Sequence, residues 1–203
     1  MYHSEPKVTG PSKGRTMKSF ELPLPPTHFT AKELAAIIDE TYMTGAHRVA
    51  DVRQLVREQL IAPAGCVGRP SKTAAHVYSA SQVFLLTILL ALGDVGIGER
   101  AVLGEVVATF ERDLDHGETL LQHVWTSARG ILRQEWLMRV DVVRPEPGVR
   151  EIEVHVYTTD TPDAFRPQIP SGKYSGSVFV DLSHVAGNVE AGIAKVLASE
   201  GEG

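Results

Sequence analysis

Arg53 and Arg57 stand four residues apart, with Gln54 beside the first, in the segment HRVADVRQLVREQLIAP that opens at His47. These side chains can read base edges, since a guanidinium pairs bidentately with guanine and a carboxamide with adenine. Spacing of four places both arginines on one side of a helix, while Val49, Val52, Val56 and Leu60 recur at three- and four-residue steps on another. The pattern predicts a recognition helix over 47–60 with a dry face and a basic face, ended by Pro63.

Other candidate chemistries fail on spacing. In SGKYSG, residues 171–176, Pro167 stands where a phosphate loop needs its upstream glycine, and Tyr174 where Ser or Thr follows the lysine. Asp113-x-Asp115-x-Gly117 begins like a calcium loop, but the glycine comes one position early and the twelfth position is Val124. His116 and His123 lie two helical turns apart, roughly 10 Å by helix rise, too far to share one metal. The lone Cys66 excludes an intramolecular disulfide, fits a reducing cytoplasm, and lacks the thiolate cluster that soft metals prefer. No nucleophile, base and orienting acid form a recognisable set. The expectation is a protein with no enzymatic activity, no cofactor and no bound metal.

The elements that must position the arginines follow from their neighbours. Thr30 and Glu33 have capping-box spacing ahead of a Leu34, Ile37, Ile38 stripe, which predicts a first helix bracing the second. After Pro63, AGCVGRPSKTAAH is small and polar and reads as an exposed loop, a basic wing over 62–77 carrying Arg69 and Lys72. Tyr78 closes a short strand, and Ser79 caps a helix whose body is Val83, Leu86 and Leu90. Although the net charge is −5, residues 44–75 hold Arg48, Arg53, Arg57, Arg69 and Lys72 against Asp51 and Glu58, a net of +3. Residues 98–203 hold ten Lys and Arg against seventeen Asp and Glu, a net of −7. The positive charge is concentrated where a nucleic acid would lie.

The order Val52-Arg53, Leu60-Ile61-x-Pro63, a basic loop, Tyr78-Ser79 and then Gly96-Ile97 resembles the winged helix-turn-helix of the MerR family of bacterial transcription regulators, over roughly residues 29–110. His76 stands where that family has an arginine, and Gln82 where it has an acidic residue. The resemblance implies a sequence-specific transcription regulator that contacts double-stranded DNA through Arg53 first and Tyr78 next. The alternative for Tyr78 is a core tyrosine under the wing. It also implies a homodimer, because paired half-sites require one.

Residues 1–26 contain five prolines, three lysines and an arginine and read as a flexible arm. The division that follows is a DNA-binding domain over 27–97, a helical connector over 98–133 and a C-terminal domain over 134–203. Val102, Val106 and Phe110, then Leu121, Trp125, Ala128 and Leu132, give the connector two amphipathic helices, either to pair with a second copy or to pack on the chain's own core. Strands are expected at 135–143, 151–158 and 177–182, and a closing helix at 184–198. The expected fold class is α+β. The longest apolar run, Val83 to Leu92, is about ten residues, too short to cross a bilayer, so no membrane partner is expected. A partner of the C-terminal domain, RNA polymerase or a small-molecule effector, is left open. Two other functions fit the same residues: an architectural DNA-binding accessory protein in recombination or packaging, and a protein-interaction adaptor.

Overall fold

The computed structural model describes residues 28–42, 49–67, 75–114, 117–129, 133–144, 146, 149–160 and 174–200. Among these the protein is a mixed α+β fold of six helices and two three-stranded antiparallel sheets.

The first sheet has the order β1-β3-β2 and frames two helices. Strand β1 (His28–Thr30) runs straight into α1 (Ala31–Tyr42) through a closed capping box: the Thr30 amide donates to the Glu33 carboxylate at 2.5 Å and the Glu33 amide to the Thr30 hydroxyl at 3.4 Å. Leu34, Ile37 and Ile38 are buried on the inner face of α1. Helix α2 (Val49–Arg57) buries Val52 and Leu55 and leaves Arg53, Gln54 and Arg57 exposed. It stops earlier than the recognition helix expected over 47–60, whose first two residues lie outside the described ones. Gln59 takes a left-handed φ of 58°, and the Leu60 amide reaches back to the Leu55 carbonyl at 3.2 Å, closing the helix and turning Leu60 and Ile61 into the core.

The expected loop of the wing begins and ends in paired strands. Strand β2 (Gly65–Val67) pairs with β3 (Ala75–Ser79), setting Cys66 opposite His76, and β3 pairs on its other edge with β1, setting Tyr78 opposite Phe29. Helix α3 (Ala80–Asp94) starts at Ser79, whose hydroxyl accepts from the Gln82 amide while the Gln82 side chain accepts from the Ser79 amide. Gln82 also donates to the Ala62 carbonyl at 2.7 Å, tying the helix start to the segment before β2. Nine residues of α3 are buried, so this helix runs through the middle of the molecule.

Both connector helices pack on the protomer itself. Helix α4 (Arg100–Phe110) buries Val102, Leu103, Val106, Val107 and Phe110, and α5 (Leu120–Ser127) buries Leu120, Leu121, Val124 and Trp125. The second sheet, in the order β5-β4-β6, is built from β4 (Trp136–Val143), β5 (Glu151–Thr158) and β6 (Tyr174–Asp181). Its inner face, Trp136, Met138 and Val140, joins the core; its outer face carries a buried pair in which Arg139 Nε donates to Asp141 at 2.7 Å. The closing helix α6 (Leu182–Glu200) lies across α1. Gly192 permits that approach, because a Cβ there would stand 2.8 Å from the Ile37 carbonyl. One buried cluster therefore runs from Phe29 to Val196, passing through the boundaries expected at 97/98 and 133/134. No helix among the described residues is long and apolar enough to cross a membrane.

Candidate nucleic-acid interface

A cleft of about 710 Å³ opens between the first turn of α1, one flank of α2 and strand β3. Each element delivers a basic side chain to it for a local reason. The capping box fixes the start of α1 and so sets Lys32 in its first turn. Helical spacing stacks Arg53 and Arg57 on the flank of α2 facing the cleft, and the Arg57 Nε donates to the Arg53 carbonyl at 3.1 Å, which orients the guanidinium. The alternation of β3 brings His76 to the same face as Tyr78. Lys32 and His76 are the residues the spacing argument missed. The two-residue step from His76 to Tyr78 was a usable signal, whereas Lys32 is brought in only by the fold.

Among the described residues no carboxylate lines the cleft. Arg53 has no hydrogen bond or ion pair from its side chain among the described residues and is exposed. Val52, Val56 and the Tyr78 ring form the floor. Tyr78 is only 2% exposed, which places it in the core beneath β3 and not at the surface where a direct phosphate contact would be made. Burial raises its phenol above the ordinary tyrosine value, with the nearby Cys66 adding to the shift. His76 Nδ1 lies 3.4 Å from the Cys66 sulfur across the strand pair.

The remaining expected contacts fall elsewhere. Gln54 is on the other flank of α2, where its amide donates to Glu58 at 2.9 Å and it lines a smaller hollow with Asp51, Leu89 and Asp94. One step along a helix turns a side chain by about 100°, which separates Gln54 from the arginine face. Arg48, Arg69 and Lys72 lie outside the described residues, as do Asp115 and His116. His123 lies 3.6 Å from Glu118 and meets the Trp136 ring edge-on.

A second polar cluster occupies the outer face of the other sheet. Asp141, Glu153 and His155 each offer one ligating atom within 4.8 Å of the others. The Asp141 carboxylate is already engaged, by Arg139 at 2.7 Å and by the Ser177 hydroxyl, and His155 lies 3.5 Å from Asp141 and 3.3 Å from Glu153. Comparison with known proteins finds no family model and no curated protein that matches the chain.

Proposed function

We propose that the chain is a DNA-binding transcription regulator of the winged helix-turn-helix type, with α1 as the bracing helix, α2 as the recognition helix and the β2–β3 hairpin as the root of the wing. The observation that carries this reading is the convergence of Lys32, Arg53 and Arg57, with His76 beside them, on one cleft that no carboxylate lines among the described residues, in a protein whose net charge is −5. A polyanion gathers such cations by counterion release and reads sequence with the arginines that reach base edges. The strand-helix-helix-hairpin order supports the same assignment, because it seats a short helix on the core by Val52 and Leu55 and leaves Arg53 and Arg57 exposed. Two copies would bind paired half-sites. Their contact would lie away from α4 and α5, whose apolar faces are buried within the protomer.

The test is fluorescence anisotropy with a genomic fragment pool and then a selected duplex, at two salt concentrations. The parent should bind the selected duplex and weaken as salt rises. Arg53→Ala and Arg57→Ala should each lose roughly 1–3 kcal/mol of discrimination between selected and unselected DNA. Binding that ignores both arginines would remove the recognition-helix assignment.

A further inference from the structure

A site made only for phosphates needs no apolar floor, yet Val52, Val56 and the Tyr78 ring provide one. The volume of about 710 Å³ also falls within the range of small-molecule pockets, roughly 300–1,000 Å³. Tyr78 supplies a further observation. Its side chain is 2% exposed and lines the cleft beside Val52 and Val56. A phenol there can donate to an acceptor that enters the cleft. An apolar slot under a rim of Lys32, Arg53 and Arg57 matches a hydrophobic body bearing a single negative group.

We infer that this cleft binds an aromatic carboxylate, its ring against Val52, Val56 and Tyr78 and its carboxylate among the rim cations, and that this ligand and duplex DNA exclude one another. The exclusion rests on the DNA-binding reading above, whereas the ligand site stands without it. Such a ligand would neutralise the side chains that DNA needs, so its presence would release the protein from its site.

The probe is 2-naphthoate, compared with neutral 2-naphthamide, titrated into the full chain and followed by amide chemical shifts. Saturable shifts are expected at residues 52–57 and 76–78, with the amide binding roughly tenfold more weakly because the charge-assisted contact is lost. Arg53→Ala should weaken 2-naphthoate by roughly tenfold and Tyr78→Phe by about fivefold. Arg53 is exposed, so its variant stays informative should the core substitution unfold the chain. No saturable shift at millimolar probe, equal affinity for acid and amide, or indifference to Arg53→Ala would overturn the site. In the anisotropy assay, 2-naphthoate should displace bound duplex with a constant equal to its directly measured Kd, and simultaneous binding of both would overturn the exclusion. DNA binding without naphthoate binding would sink this inference and leave the regulator reading standing. Naphthoate binding without DNA binding would do the reverse for the ligand site.

Discussion

The cleft cations are not equivalent, because Lys32 stands at the start of α1 whereas Arg53 and Arg57 stand along α2. Lys32 is a point charge in the first turn of α1, suited to a phosphate, whereas Arg53 sits mid-helix with a fork that can choose between bases. Lys32→Ala should therefore weaken binding almost uniformly across DNA sequences and lower the slope of log affinity against log salt by about one, read from anisotropy at several salt concentrations. Gln54→Ala should change DNA affinity by less than about 0.5 kcal/mol, because Gln54 is paired with Glu58 on the opposite flank. A large loss in that variant would mean that α2 presents a different face to DNA. Tyr78 sets a pH dependence. Its folded-state value is raised, so the native state keeps a proton that the unfolded chain releases first. The stability this provides is complete below the unfolded value, about 10, and is lost as pH rises through the folded value. Melting curves from pH 8 to 11 should show an alkaline decline that is smaller in Tyr78→Phe.

At the scale of elements, the contact between α1 and α6 couples the C-terminal third to the candidate DNA-facing half, alongside that between α3 and α6. Thr41 donates to the Ile37 carbonyl at 2.7 Å and lies 3.4 Å from the Asn188 carbonyl, while Lys195 pairs with Glu40 at 2.9 Å. The exposed ion pair adds little. Backbone proximity at Gly192 decides the spacing. Gly192→Ala should cost about 1–3 kcal/mol in urea denaturation, since the new methyl meets backbone and cannot be accommodated by a rotamer change. Gly187 lies in the same helix with open space around its Cα, so Gly187→Ala should instead stabilise by up to about 1 kcal/mol through helix propensity. Equal effects at the two positions would show that close packing of α6 on α1 is not what Gly192 provides.

The whole molecule behaves, on this structure, as one packed body. Helix α3 is buried on most of its surface by partners from both halves of the chain, and one buried cluster runs from Phe29 to Val196. The full chain should therefore unfold in a single calorimetric transition with matching calorimetric and van't Hoff enthalpies. Two separable transitions would instead mark an independent unit such as the one expected over 27–97.

Local physics made much of this protein legible from its amino acids. The capping signals at Thr30 and Ser79, the apolar stripes of α1 and α4, the alternation in β4 and β5 and the arginine pair on α2 depend on neighbours a few residues away, where helical and strand periods act. The α+β class followed from those periods. The end of α2 did not, because it depends on a left-handed Gln59, a conformation that composition does not announce. Nor did the three-residue strand β2, whose small residues carry no β pattern and which exists because β3 lies alongside it. Lys32 and His76 join the arginines, Gln54 leaves them and Tyr78 sinks beneath them only when α1, α2 and β3 are assembled. The joining of the expected domains through α6 likewise rests on contacts between residues some 150 positions apart, such as Lys195 with Glu40, which no local period encodes.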